Sequence, residues 1–456
     1  MSSSIKAVSL ATLLLLASAA GSLAAPASAA GEGASNPSLS IPIVRRTPKQ
    51  RTLNETMAWA NAHRAHLQSK YNIGRAKGKQ KERRDGAATL INLEHDSTWL
   101  APVQGGTPSQ TFNVVLDTGS SDLWLDQNKY SPSSSSSFSN VSTPFSIKYG
   151  SGEVAGYLAT DDFSLAGTTV DGLTFAVADE ISQGLLDSNI AGIMGMAFQR
   201  LSSSGAQPFW EKANIDTFSF FLNRDIVTSS NYNRQESYGG IFTLGGTNSS
   251  LYTGAINYID VIEELYWMLN LGGVTAHGSS VDLGSTTKAA IDTGTTLIGG
   301  PDSVIENLYA QIPGSSALSG SEGYYTYPCS TTVNATLTFG NKQYQIADVD
   351  MQASVLDNSG TVCMGAFFGA GTSSLDDLQW IVGDSFLKSV YSVFTTSGGS
   401  ARIGFASLAS GLNSGTTSTT VNGATSTSSS ALSFARPSPL AFILVVASGA
   451  IALGLF

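Results

Sequence analysis

Between residues 85 and 408 the apolar positions fall in short segments rich in β-branched and aromatic residues, divided by turns of Gly, Ser and Asn, and long helical periods are scarce. Phe112 to Leu116, Gly240 to Leu244 and Ala401 to Phe405 all read as strands, so the pattern predicts a mostly β body. Three stretches outside it follow other rules. Lys6, the apolar run Val8 to Ala20 and the small residues Ala24, Ala25, Ala27 and Ala29 have the layout of a secretory signal, expected over 1–24; the run is too short to span a bilayer. Residues 25–84 are polar and basic, with a helix-compatible middle from Thr52 to Ser69. The last run, 440–456, is apolar and uncharged, with no basic cluster after it.

Charge separates these pieces. The 456 residues carry 24 Lys+Arg and 34 Asp+Glu, a net charge of −10, and only 13% are charged. That balance disfavours a nucleic-acid binder, which would normally carry a basic face. Yet residues 1–86 hold 13 of the Lys+Arg and only four acids, which leaves 11 basic against 30 acidic residues beyond them, a net of −19. A basic stretch closing on Lys81-Glu82-Arg83-Arg84 before an acidic body reads as a propeptide with a processing site, with a solvated basic arm as the alternative. At the other end, 14 of the 24 residues from Ser410 to Ser433 are Ser or Thr, a composition that buries no core and suits an O-glycosylated stalk over 409–439. Small residues such as Asn422-Gly423-Ala424 or Ser428-Ser429-Ser430, a polar spacer and the apolar tail match a glycosylphosphatidylinositol attachment signal; the alternative is a plain membrane helix, for which the tail is at the short limit. The length allows about three ordinary domains or one enzyme with two large lobes. Two cysteines give one bridge or two free thiols, and sequons stand at Asn140, Asn248 and Asn334.

One pattern in the body occurs twice. Val114-Val115-Leu116-Asp117-Thr118-Gly119-Ser120 and Ala289-Ala290-Ile291-Asp292-Thr293-Gly294-Thr295 are each an apolar strand ending in Asp-Thr-Gly and a hydroxyl residue. Two carboxylates held close together cannot both ionise cheaply, so one stays protonated as an acid while the other takes a proton from a shared water; this division of roles is the one known from aspartic proteases and is borrowed from them. Gly119 and Gly294 let the chain turn tightly under each carboxylate. Thr118 and Thr293 are placed to brace the two loops against each other, and Ser120 and Thr295 to donate to the ionised oxygens.

On these motifs the chain resembles the pepsin-like aspartic endopeptidases over essentially all of 85–408. The first motif extends to Asp117-Thr118-Gly119-Ser120-Ser121-Asp122-Leu123-Trp124, with Asp122 where many members have Asn, and Tyr149-Gly150-Ser151-Gly152 is similar to the flap hairpin, whose Tyr is oriented by a Trp, here Trp124. Ile193-Met194-Gly195 and Trp380-Ile381-Val382-Gly383 match the apolar elements that cross behind each carboxylate loop. The segment from Gly245 to Gly254 resembles the one near the lobe junction, with Asn248 in place of an Asp. The resemblance implies two β-rich lobes, 85–255 and 256–408, with the active site in the cleft between them. It also implies a bridge between Cys329 and Cys363, whereas the Ser-rich stretch Ser131 to Ser137 stands where pepsins have an N-terminal-lobe bridge. Family zymogens set a Lys followed by Tyr over the carboxylates, a place that Lys70-Tyr71 would fill unless Lys70 is one of many solvated lysines.

Other chemistry is thinly supported. His63 and His66 lie in the basic stretch, His95 and His277 have no metal-ligand spacing, and no Gly-x-Ser-x-Gly elbow is present. The pairs Asp161-Asp162, Asp179-Glu180, Glu263-Glu264 and Asp376-Asp377 read as solvated turns. The expectation is therefore a secreted or surface-anchored acid endopeptidase made as a zymogen, needing no metal or cofactor. Its partners are peptide substrates, its own propeptide as inhibitor and the membrane through a lipid; it is expected to be a monomer. Ser151 at the flap tip, where some fungal relatives carry an acid that accepts Lys, points to apolar or aromatic side chains at the cleaved bond. The competing reading is a non-catalytic surface binding protein that retains the fold.

Overall fold

The strand Gln110–Asp117 shows how the apolar lead-in becomes structure: Phe112, Val114, Val115 and Leu116 are all buried, and the strand ends on Asp117, itself buried. It belongs to a computed structural model that describes residues 52–70, 86–93, 96–149, 152–182, 185–186, 188–225, 236–357, 359–372 and 377–412. The expected signal 1–24, the processing site at 81–84, His95, Asp376 and the apolar tail 440–456 lie outside these residues, as does the stalk beyond its first four. The chain divides into two units at Arg45, and every described residue belongs to the second.

The architecture is mostly β, in the two-lobed arrangement expected from the sequence. A 13-stranded sheet runs from Tyr252–Asp260 through Arg402–Leu408, Tyr391–Thr395, Thr217–Leu222, Glu236–Leu244, Gly86–Leu93 and Thr98–Gly105 to Gln110–Asp117, and continues through Gly192–Gly195, Leu123–Asp126 and Thr168–Ile181 to the hairpin Gly152–Leu165 and Ser139–Tyr149. The expected strands at 112–116 and 240–244 lie within it, and the third begins one residue later than expected, at Arg402. A second sheet of eight strands contains Lys288–Ile291, the lead-in to the second motif.

Each lead-in strand has the same neighbour. Gln110–Asp117 pairs in parallel with Gly192–Gly195, Asp117 standing opposite Gly195, and Lys288–Ile291 pairs in parallel with Trp380–Val382, Ile291 opposite Val382. These neighbours are the two apolar-apolar-Gly elements, and their glycines are needed for close approach: a Cβ on Gly195 would lie 2.4 Å from the Ser121 backbone, and one on Gly383 2.0 Å from the Thr295 carbonyl oxygen. An aromatic cluster joins the sheet strands behind the motifs, with Phe218 stacked on Phe394 at 5.2 Å and Trp267 at 5.3 Å from Phe394 and 4.5 Å from Phe198. Pairs of this kind add about 0.5–1.5 kcal/mol each beyond the area they bury.

Among the described residues there are four α-helices, α1 (Leu53–Lys70), α2 (Phe209–Lys212), α3 (Asp302–Tyr309) and α4 (Asp384–Leu387). α1 covers the segment read as helix-compatible. It starts on a capping box, the Thr52 amide donating to Glu55 Oε2 (2.7 Å) and the Glu55 amide to Thr52 Oγ1 (3.2 Å).

Cys329 and Cys363 are joined in a disulfide 34 residues apart, and no free cysteine remains. On loop-closure grounds such a bridge stabilises by about 4 kcal/mol at most. The N-terminal half solves the same problem without sulfur, and this corrects the reading of Asp161-Asp162 as a solvated turn. Asp161 lies fully buried in the strand Gly152–Leu165, where its carboxylate accepts from Tyr130 Oη (2.5 Å), Ser135 Oγ (3.0 Å) and Ser137 Oγ (2.6 Å). The Ser-rich stretch is thus tied down by a buried acidic side chain. Burial, then the bond to Asp161, holds the Tyr130 phenol well above its ordinary range, so it stays a donor. Of the other pairs, Asp179, Glu180, Glu264 and Asp377 are exposed, and Glu263 pairs with Arg200 at 3.0 Å. Among the sequons Asn140 and Asn334 are exposed and Asn248 is half-buried, its Oδ1 accepting from Ser250 N (3.1 Å) and Oγ (2.7 Å).

Candidate active site

Both carboxylates are gripped by their own turns, in the same way. After Asp117 the Gly119 amide donates to Oδ1 at 2.9 Å and Ser120 Oγ to Oδ2 at 2.5 Å. After Asp292 the Gly294 amide donates to Oδ1 at 2.9 Å and Thr295 Oγ1 to Oδ2 at 2.5 Å. Each Asp-Thr-Gly-Ser/Thr string therefore supplies its own donors, one from the tight turn and one from the hydroxyl that follows. Donors of this kind favour the ionised form and fix the rotamer. Both groups are nearly inaccessible, Asp117 at 2% and Asp292 at 0%.

The two turns touch. The Thr118 amide donates to Thr293 Oγ1 (3.1 Å) while the Thr293 amide donates to Thr118 Oγ1 (2.9 Å). Each hydroxyl then donates onward across the pair, Thr118 Oγ1 to the Ile291 carbonyl (2.8 Å) and Thr293 Oγ1 to the Leu116 carbonyl (2.6 Å). This is the bracing expected from the sequence. Gly294 closes the approach from the other side: a Cβ there would lie 2.3 Å from Asp117 Oδ1, so a methyl would push on the opposite carboxylate.

The flap residues divide between what the structure describes and what it does not. Tyr149 closes the strand Ser139–Tyr149 and pairs with Gly152, the first residue of Gly152–Leu165; Gly150 and Ser151 lie outside the described residues. Trp124 is fully buried and shares an apolar cluster with Phe145, Ile147 and Val154 from those two strands, which ties it to the hairpin's footing. Asp122, the departure from the family's Asn, has a local reason. Its carboxylate accepts from Ser202 Oγ (2.8 Å), Ser203 N (2.7 Å), Ser204 N (3.0 Å) and Ser204 Oγ (2.5 Å), four donors that an amide could not all satisfy. Lys70 is the last residue of α1, and Tyr71 lies outside the described residues. His277 is exposed at a turn with positive φ, its Nδ1 3.1 Å from the Thr332 carbonyl, which gives no support to a histidine base.

Two residues near the carboxylates went unnoticed in the sequence. Tyr266 is buried, and burial followed by the charges of Asp292 and Asp117 keeps its phenol protonated well above the ordinary range. Asp384 opens α4, its amide donating to the Thr295 carbonyl at 2.8 Å. Burial, reinforced by the charge of Asp292 and only partly offset by Lys388, pushes its carboxyl well above the usual range, which favours the neutral form. Asp384 directly follows the Trp380–Gly383 element, a local signal that could have marked it; Tyr266 carries none. Lys388 is itself buried, with Nζ 3.0 Å from Asp96 Oδ2 and 2.8 Å from Asp350 Oδ1, and Asp350 also receives Arg224 Nε at 2.9 Å.

Two buried carboxylates in touching, symmetric turns can share a water and hold different protonation states, which is the equipment for acid–base hydrolysis. Comparisons with known proteins agree. The model of the family described as eukaryotic aspartyl protease matches residues 98–408. The chain is 37% identical over 423 residues to major aspartyl peptidase 1 of Cryptococcus neoformans var. grubii, covering 82% of this chain and 86% of that one. It is 33% identical over 368 residues to an aspartic protease of Phaffia rhodozyma (77% and 86%) and 30% identical over 392 residues to pepsin A of Bos taurus (81% and 99%). The chain belongs to the pepsin-like eukaryotic aspartyl protease family and is an aspartic-type endopeptidase.

Proposed function

We propose that Asp117 and Asp292 are the catalytic pair of this endopeptidase and that it works by direct attack of water, with no covalent intermediate. One carboxylate takes a proton from the water as its oxygen attacks the peptide carbonyl, and the other, protonated, gives its proton to the leaving amide nitrogen. The observation that carries this reading is the matched donor set on the two groups, a turn amide on Oδ1 and a hydroxyl on Oδ2 in each case. Neither carboxylate is distinguished by its own turn, so the bound substrate and water decide which is acid and which is base. Thr118 and Thr293 hold the separation, Tyr149 shapes the pocket from the flap, and Trp124 supports the hairpin that carries it.

The finer reading follows the sequence. Residues 1–24 direct the chain into the secretory pathway; 25–84 keep it latent, with Lys70 and Tyr71 as residues set over the carboxylates; the enzyme proper is 85–408 in two lobes. The stalk 409–439 and tail 440–456 place it at the cell surface on a glycosylphosphatidylinositol anchor, and Asn140, Asn248 and Asn334 are its glycan sites. Ser151 favours apolar or aromatic side chains at the cleaved bond.

Asp292→Asn tests the core of this. Hydrolysis of denatured haemoglobin at acid pH should fall by at least a thousandfold while a statine-type transition-state analogue stops the unmodified enzyme; near-normal activity in the variant would remove Asp292 from the mechanism. Treatment of the membrane fraction with phosphatidylinositol-specific phospholipase should release the protein, and retention would count against the lipid anchor.

A further inference from the structure

Helix α1 buries one face. Thr56, Ala60, Arg64 and Leu67, spaced by four, four and three, are all buried, and Met57, Asn61, His63 and Arg64 meet residues of the C-terminal half. Asn61 Nδ2 donates to the Gly320 carbonyl at 3.2 Å, and Met57 covers Gly320, where a Cβ would lie 2.2 Å from its methyl. His63 stacks on Trp59 (5.2 Å), meets the edge of Phe368 (5.1 Å) and lies with Nδ1 3.2 Å from Tyr324 Oη. Tyr324 is in turn stacked on Phe368, which makes a flat aromatic shelf beneath the helix. Beside this shelf Arg64 Nη2 reaches both oxygens of Asp302, at 3.3 and 3.1 Å, and Nη1 lies 3.5 Å from Glu322. The helix also runs close to the strand Ser139–Tyr149, which leads to the flap.

Resting on the reading of 25–84 as a prosegment, we propose that the surface made by Asp302, Gly320, Glu322, Tyr324 and Phe368 is a docking site for a basic helix, and that Arg64 is the latch that holds the prosegment over the cleft independently of Lys70. The cation is the buried member of the pair: the Arg64 side chain is 10% exposed, against 52% for Asp302 and 88% for Glu322. Glu322 is so open that it adds little. Asp302 matters more, because without it a guanidinium already stripped of water would be left uncompensated. The site discriminates by chemistry. It takes a planar cation at the position of Arg64 and an aromatic ring one residue earlier, over the shelf, with small side chains where Ala60 passes. A lysine, a point charge on a flexible stem, would reach one partner and not both.

Charge exchange in the full-length chain tests the latch. Before any processing, latency is read as the binding rate of a fluorescent statine-type inhibitor, and the prosegment is then removed with an added protease. Arg64→Asp and Asp302→Arg should each raise the binding rate to the unprocessed chain by about tenfold or more, and the double exchange should restore latency, which a merely structural role for either residue would not do. Lys70→Ala should leave the Arg64 effect intact. Asp302→Asn is a gentler variant for the case in which a charge reversal fails to fold, and it should loosen latency in the same direction. Latency unchanged in both Arg64→Asp and Asp302→Asn, or no restoration in the double exchange, would overturn the latch. Absence of peptidase activity in the unmodified chain after prosegment removal would instead overturn the catalytic reading beneath it.

Discussion

Thr118 and Thr293 are bound to each other twice, amide to hydroxyl in both directions, although 175 residues separate them. Each hydroxyl is at once an acceptor for the opposite turn and a donor to the strand beneath that turn. Four bonds therefore fix the distance between the two carboxylate loops. Mechanical coupling of this kind matters because a reacting group misplaced by about 1 Å can cost a hundredfold in rate.

Thr118→Val keeps the shape and removes the hydroxyl. The buried Thr293 amide and Ile291 carbonyl then each lose a partner, at about 1–3 kcal/mol apiece. Urea unfolding should show a loss of about 2–4 kcal/mol, and kcat/KM should fall at least tenfold with Asp117 and Asp292 untouched. Thr118→Ser, which retains the hydroxyl, should restore most of both. Equal losses in the Val and Ser variants would mean that the methyl, not the bonding, is what counts.

Asp384 gives the enzyme a built-in reason to fail as pH rises. Its carboxyl is held well above the usual range by burial and by the charge of Asp292, so the folded state binds a proton that the unfolded chain releases near pH 4. The stability this provides is complete below the unfolded value and is lost as pH climbs toward the folded one. Asp384→Asn mimics the neutral acid at every pH. Thermal melting from pH 3 to 8 should show the two proteins alike at the acid end and the variant increasingly the more stable above it; parallel curves throughout would show that Asp384 does not titrate with unfolding.

What was legible in the sequence was local. Asp117 with its lead-in strand, its turn glycine and its hydroxyl donor lies within a single stretch of seven residues, and the second copy repeats it, so the site could be read without knowing how the chain folds. The helix at 53–70 was legible for the same reason, through its own backbone preferences. Its docking face was not, because the buried positions include Thr56 and Arg64 and make no apolar stripe. Asp161 next to Asp162 looks like a surface turn until the Ser-rich stretch, some 24 to 26 residues earlier, is folded over it. The ion pair of Lys388 with Asp96 spans 292 residues and has no local trace at all.

Asp161 should behave as the N-terminal half's counterpart to the disulfide. Asp161→Ala leaves Tyr130, Ser135 and Ser137 without their common acceptor in a buried place, and the expected loss is about 2–4 kcal/mol. Nicking by trypsin-free broad proteases should then begin in residues 131–137, where the intact protein resists. Asp161→Asn retains an acceptor oxygen for the two serines and should lose less. Unaltered proteolysis of the Ala variant would show that the loop is held by its backbone instead.

Glu211 supplies a second pH-dependent element with a narrower window. Burial raises its carboxyl from 4.5 to about 7, the Gln199 amide at 2.9 Å offsets part of that, and the nearby charge of Glu264 adds to it. Because the folded value is the higher one, its contribution is whole below about pH 4.5 and disappears as pH rises to about 7, a change on the order of 3 kcal/mol. Glu211→Gln keeps the acceptor for Gln199 and cannot ionise. Its melting temperature should match the parent's at pH 4 and exceed it by several degrees at pH 7.5, with the gap opening between those values and staying constant above them. The Asp384→Asn change should leave that gap in place, since the two carboxyls titrate at separate sites; a double variant whose gain at pH 7.5 falls well short of the sum would mean that both report one shared opening of the lobes.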